Sequence, residues 1–297
     1  MKKKFFTRQD IGLAYISPWI IGFLAFTLIP MVVSFGYSFC SFASIRTFHF
    51  VGLKNYKEMF HQFDFILSLK ATFMYVVFSV PVKLASALIV ALLLQKKVKG
   101  INLFRTLYYL PSILGGSVAI GILWKMMFAK NGLINAIAGM FGIAARNWLG
   151  NPKTAIYIIC ILPIWQFGSS MVIFLAALKQ IPSQLYEAAL IDGANTHTRF
   201  WRITMPMISP VLLFNLVMQS IGAFQEFGSA YIITDGGPAK TTYLYSLMIY
   251  DQAFLNLRFG YASALSWFLF VVIIGFTIVL FGTSGKWTFY QDGRGII

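Results

Sequence analysis

Residues 180–210 read QIPSQLYEAALIDGANTHTRFWRITMPMISP, a short polar interruption between two long apolar runs. Pro182 and Ser183 supply a helix start, and Leu185, Ala188 and Ala189 give the segment behind them a small apolar face. Gly193 is the natural stop, because glycine takes the left-handed backbone that ends many helices without a Cβ penalty. Asn195 or Thr196 then caps a second helix, which carries Phe200 and Ile203 into Pro206 and the next apolar run. The pattern predicts two short helices set at an angle. Two roles fit such a pair between apolar runs: a docking knob for another protein, or an amphipathic connector lying on a membrane surface.

Outward from this loop, six segments meet the roughly 20 mostly apolar residues that a spanning helix needs. They cover about 11–39, 70–95, 104–128, 153–178, 207–233 and 261–283. Hydrophobic residues form 58% of the chain and charged ones 11%, against about 25% charged in a soluble domain. That excess of apolar surface suits a bilayer rather than a soluble core. Pro18, Pro30, Pro81, Pro111 and Pro163 interrupt the segments, and such breakers persist in membranes where neighbouring helices satisfy the freed backbone groups. The expected fold is all-α and integral to the membrane, with six transmembrane helices in one domain over 1–297. Within it the first helix covers about 11–39, the core about 70–285 and the loop about 180–206.

The formal net charge of +15 follows from Lys and Arg at helix ends and in inner loops, so nucleic acid is not an expected partner. Lys2, Lys3, Lys4 and Arg8 precede the first span, and Lys96, Lys97 and Lys99 crowd the short turn before the third. With the N-terminus inside, 13 basic residues fall on the inner side and 9 on the outer, with Lys83 and Lys125 left within helices. Six spans then leave both termini in the cytoplasm. The first run is too long for the roughly 7–15-residue core of a signal peptide, so it is expected to be retained. Cys40 and Cys160 read as small buried hydrophobes.

No catalytic constellation is legible. There is no G-x-x-x-x-G-K-[ST] loop to cradle phosphates, and His49, His61 and His197 are scattered, so neither a metal site nor a bound cofactor is expected. Polar residues inside apolar spans are costly and usually face a bundle interior or cavity. The fourth span carries Trp165, Gln166, Ser169 and Ser170, and the fifth carries Asn215, Gln219, Gln225 and Glu226. Spacings of four and seven put Asn215, Gln219 and Glu226 on one helical face. Amides and a carboxylate match a set of sugar hydroxyls, and Trp165 or Tyr231 offers a flat apolar face to a ring. Alternatively these groups pair with one another or across helices. Lys83 either serves Glu226 as a counter-charge or snorkels.

Glu187-Ala188-Ala189, three residues, Gly193, nine residues, Ile203 and then Met205-Pro206 resembles the EAA loop of binding-protein-dependent ABC importer permeases. The extended form EAALIDGA, followed by Phe200, Ile203, Pro206 and Pro210, is similar to the sugar branch, near the shorter maltose-permease-like subunits. Met205 stands where that family usually has Leu. Phe227, Tyr231 and Thr234-Asp235-Gly236-Gly237-Pro238 resemble the outer end of the penultimate helix in that branch, with Gly228 in place of an expected Asp. The run Ile249–Phe254 and the stretch Gly260–Ala264 also resemble it.

The resemblance implies a type I ABC importer permease fold in the bacterial cytoplasmic membrane. It implies half of a sugar or oligosaccharide pathway, completed by a homologous second permease in a heterodimer. It further implies two ATPase subunits, which use ATP and Mg while this chain hydrolyses nothing, and an extracytoplasmic solute-binding protein. Glu187, Ala188, Ala189, Asp192, Gly193 and Ala194 would form the coupling element, with Asp192 alternatively a local cap. A permease for a non-sugar solute and a secondary transporter are the competing readings.

Overall fold

The computed structural model describes residues 8–42, 48–95 and 99–289. Lys2, Lys3, Lys4, Arg46, Lys96, Lys97 and Arg294, used above to read the charge balance, lie outside the described residues. Four helices are long and apolar enough to cross a bilayer unaided: Tyr15–Ser38, Phe63–Leu94, Thr196–Phe224 and Phe259–Ser284. Two bent pairs, Ile101–Ile113 with Val118–Met127 and Pro152–Trp165 with Gly168–Gln180, bring the spans among the described residues to six.

One compact unit combines the chain up to Gln62 with Ile249–Phe268. It holds α1 (Arg8–Phe23), a π-helical turn, α2 (Ile29–Ser38), the paired strands β1 (Cys40–Ser41) and β2 (His49–Phe50), and α3 (Lys54–His61). Buried Asn55 ties this corner together, donating to Ser38 O and Cys40 O at 2.8 Å each. Arg258 pairs with Glu58 at 2.5 Å and stacks on the Tyr261 ring.

The second unit, Phe63–Met248 with the chain from Leu269, carries the second to fifth spans, the short helix α7 (Leu133–Met140) and the later part of the sixth span. Its axis is α4 (Phe63–Leu94), packed against α8 (Pro152–Trp165), α9 (Gly168–Gln180) and α12 (Met205–Phe224). Ala87 and Ala91, four apart on α4, are fully buried. Small residues at that spacing let helix backbones approach closely where lipid offers no hydrophobic drive for association. Met171, Phe174, Ile159, Cys160 and Ile208, on the helices packed against α4, are fully buried as well. Cys160 is a free, buried thiol, as is Cys40.

Three of the expected spans differ in shape. The third bends by 98° between α5 (Ile101–Ile113) and α6 (Val118–Met127); Pro111 removes a donor near the end of α5, and the link contains the Gly115–Gly116 pair. The fourth bends by 46° between α8 and α9, three residues after Pro163. Here a neighbouring helix repairs the break. Ser112 Oγ on α5 donates to Gln166 O and accepts from Ser169 N–H, both at 3.0 Å. Gly168 permits that approach, since a Cβ there would stand 2.5 Å from Tyr108 O. The fifth span starts earlier than expected and stops at Phe224 rather than near 233.

Candidate functional site

The stop after Phe224 is local chemistry. The Glu226 carboxylate accepts the Ser229 N–H at 2.8 Å and the Ser229 hydroxyl at 2.9 Å, and a new π-helical turn opens at Ala230–Thr234. A side-chain acceptor three residues ahead offers the backbone an alternative to the helical ladder, as in an N-cap. The single helical face expected for Asn215, Gln219 and Glu226 is therefore not formed. Asn215 is buried in α12 and donates to Val211 O of its own helix at 3.1 Å. Gln225 is the exposed C-cap of that helix.

Gln219 and Glu226 nevertheless meet in a cavity of about 190 Å³, which they line with Tyr75, Ser79, Lys83 and Gln166. A smaller adjoining space of about 80 Å³ shares Pro163, Gln166 and Glu226 as walls. Each lining group is there for a stated reason. Gln166 is the C-cap of α8 at the bend, so its amide leaves the helix surface at the break. Tyr75, Ser79 and Lys83 follow one another at intervals of four on α4, one face of one helix. Trp165 lies outside the lining of both spaces and packs against Trp124, ring centroids 5.9 Å apart. Tyr231 stacks on Phe227 at 5.1 Å.

Chemically, the cavity holds one ammonium, one carboxylate, two amides and two hydroxyls. Such a set both donates and accepts at several points, which suits a polyhydroxylated ligand better than an apolar one. Sequence reasoning singled out Gln166, Gln219 and Glu226. It missed Tyr75 and Ser79, although their spacing with Lys83 is a polar stripe on an otherwise apolar helix. Ser112 and Ser229, which hold the broken backbone, carry no such signal.

The loop at 180–210 forms as its sequence predicts. Helix α10 (Ser183–Ile191) ends on Asp192, and Gly193 follows at φ +74°. Ala194 N–H bonds to Ala189 O at 2.8 Å and Gly193 N–H to Leu190 O at 3.1 Å, the two bonds of a Schellman turn. Asn195 Oδ1 then accepts Thr198 N–H at 2.8 Å and caps α11 (Thr196–Arg199), settling the choice between Asn195 and Thr196. That helix runs on through a π-helical turn into α12 as one span. The Tyr186 hydroxyl meets Thr204 Oγ1 at 2.9 Å and pins the two arms together. Glu187, Ala188, Asp192 and Gly193 are exposed, with Ala189 and Ala194 partly covered. The Asp192 side chain caps nothing among the described residues; the turn closes through backbone alone. Leu185, Leu190, Ile191 and Trp201 add an exposed apolar surface, with Ile191 88% accessible.

Residues 71–288 match the family described as binding-protein-dependent transport system inner membrane component. The chain is 48% identical over 298 aligned positions to the probable ABC transporter permease protein YesP of Bacillus subtilis (strain 168), covering 98% of this chain and 96% of that one. It is 34% identical to the trehalose/maltose transport system permease protein MalF of Thermococcus litoralis, covering 92% and 93%, and 30% identical to the arabinooligosaccharides transport system permease protein AraP of Bacillus subtilis (strain 168), covering 95% and 91%. In fold it is similar to a chain of a bacterial alginate ABC transporter crystallised with an alginate pentasaccharide-bound periplasmic protein. That likeness has a TM-score of 0.81 at 24% identity and covers 93% of this chain and 94% of that one.

Proposed function

The chain belongs to the family of binding-protein-dependent transport system inner membrane components, and from that premise we propose that it is the permease subunit of an ABC importer for a sugar or oligosaccharide. Relatives named for trehalose/maltose and for arabinooligosaccharides support the class of cargo. The observation that carries the reading is the Schellman turn at Gly193. It presents Glu187, Ala188 and the apolar Leu190 and Ile191 as a projecting edge, a shape suited to a groove on an ATPase subunit. ATP hydrolysis, with its Mg, belongs to two such subunits, and a solute-binding protein outside the cell delivers the cargo.

The cavity lined by Lys83, Gln166, Gln219 and Glu226 is the substrate contact of this half of the pathway. At about 190 Å³ it is smaller than the roughly 300–1,000 Å³ of a site that encloses a small ligand. A homologous second permease supplying the remaining wall accounts for the deficit. The first span supports the same partner, since no residue of its most apolar window is buried. The inner side of the membrane holds both termini and the Gly193 loop, in a bacterial cytoplasmic membrane.

The test is to express the tagged chain with its partner permease and ATPase subunits, purify by the tag, and measure binding-protein-dependent sugar uptake in vesicles. The ATPase is expected to copurify and uptake to require ATP. A tagged chain that carries sugar with no ATPase attached, driven by a proton gradient, would refute the assignment in favour of a secondary transporter.

A further inference from the structure

At the end of the spans away from Gly193, the first turns of α4 and α8 and the loop after the Ala230–Thr234 turn enclose a groove of about 500 Å³. Its walls are apolar, from Leu67, Met74, Ile156 and Tyr157, and its rim carries Lys70, Lys153 and Lys240. We propose that this groove binds an anionic phospholipid, its phosphate among the three lysines and an acyl chain between α4 and α8.

The argument begins with charge. Lys240 pairs with Asp64 at 2.5 Å and lies over the Tyr243 ring, so one of the three rim ammonium groups has a carboxylate partner. Lys70 and Lys153 are exposed and have no carboxylate partner among the described residues. The rim is thus left with two uncompensated positive charges over an apolar trough.

Depth fits as well. Thirty-two residues of α4 rise about 48 Å at 1.5 Å each, well beyond the roughly 30 Å hydrocarbon core. With the excess of about 18 Å shared between its two ends, Lys70, in the second turn of α4, stands near headgroup level and Met74, one turn further on, lies toward the acyl region. Lysines standing at a membrane surface attract anionic headgroups by about 1 kcal/mol each. A volume near 500 Å³ lies within the roughly 300–1,000 Å³ range of small-ligand sites. The occupant is a lipid rather than a soluble anion because the trough opens between spans and is otherwise apolar. This inference rests on the spanning helices and not on the identity of the transported solute.

The assembled transporter, purified in detergent and stripped of lipid, is titrated with dioleoyl phosphatidylglycerol or dioleoyl phosphatidylcholine, and bound lipid is read by native mass spectrometry. Wild type should prefer phosphatidylglycerol by roughly tenfold or more, given two uncompensated lysines. Lys70→Gln with Lys153→Gln should abolish most of that preference, and Lys70→Arg with Lys153→Arg should keep it. A photoactivatable phosphatidylglycerol provides an arm that needs no variant and should label peptides covering 67–74 and 152–157. Equal retention of the two lipids by wild type, an unchanged preference in the Gln pair, or labelling confined to other peptides overturns the proposal. So does a Gln pair with intact lipid preference and weakened stimulation by the binding protein, which would assign the lysines to an acidic protein surface. ATPase copurification and sugar uptake, scored separately, report on the transporter reading.

Discussion

Replacing Gly193 separates the shape of the coupling turn from the surface it presents. The residue sits at φ +74°, and a Cβ built there meets nothing within 4 Å. The penalty of Gly193→Ala is therefore conformational, about 1–2 kcal/mol for a left-handed backbone bearing a Cβ. That energy corresponds to a factor of about 5–30 in the closed-to-open ratio of the turn, with the Ala194-to-Ala189 and Gly193-to-Leu190 bonds lost in the open fraction. Gly193→Asn tolerates the same backbone and should stay close to wild type. Gly193→Val should be worst, since a β-branched residue is a true outlier at this φ and adds bulk to an exposed surface. The assay is affinity of the ATPase subunits for the tagged permease pair, followed by uptake in vesicles. Alanine should weaken attachment by up to that factor, with assembly of the two permeases unchanged. Wild-type attachment and uptake in Gly193→Val would refute the coupling role of the loop. Asn as damaging as Val would shift the cause from the turn to the contact surface. Glu187→Ala, which removes one exposed polar contact and leaves the turn intact, should be milder than Val.

Three further expectations follow from the same structure. An introduced cysteine near Asn147 should react with an impermeant thiol reagent in intact cells and one near Thr196 should not; the reverse pattern would invert the topology. Glu226→Ala should lower uptake while ATPase attachment persists, because it strips the cavity of its carboxylate and frees Ser229. Uptake at the wild-type rate in an assembled variant would remove Glu226 from the substrate path. Ser112→Ala leaves Ser169 N–H and Gln166 O at the α8–α9 break without their hydroxyl partner, at about 1 kcal/mol, the low end for a lost bond between part-buried groups. The purified complex should melt at a lower temperature, and an unchanged melting curve would mean that the break needs no such support.

The spans and the loop were legible because their signals are local. Apolar length sets a membrane helix, and Gly193, Asn195 and Pro206 each act within a turn of themselves. The bends were not legible to the same degree. Pro81 lies within an unbroken α4, whereas Pro111 and Pro163 precede sharp bends. The difference is what surrounds each proline: a Gly-Gly link after Pro111, and after Pro163 a hydroxyl from another helix that satisfies the exposed groups. The second of these is a tertiary fact, absent from the segment itself.

The same reasoning explains why periodicity misled at the fifth span. Counting Asn215, Gln219 and Glu226 on one face assumes that the helix continues, and Glu226 is one of the residues that end it, by capping Ser229. A carboxylate near the end of an apolar run is costly as a lipid-facing group and favourable as a cap, so the chain turns where the acid can be satisfied. The turn then carries Glu226 to the wall it shares with Gln166, itself released by the bend at α8. Broken helices at membrane depth are tolerated where they line a cavity, and here both breaks deliver a polar side chain to the same one. Straight spans with the same composition would leave Gln166 and Glu226 on helix surfaces, needing partners elsewhere. The continuous stripe of Tyr75, Ser79 and Lys83 on α4 supplies the opposite wall because that helix does not break. The cavity is therefore a product of two interrupted helices facing one intact one, and substitutions that straighten either break should remove a polar group from its wall even when every lining residue is retained.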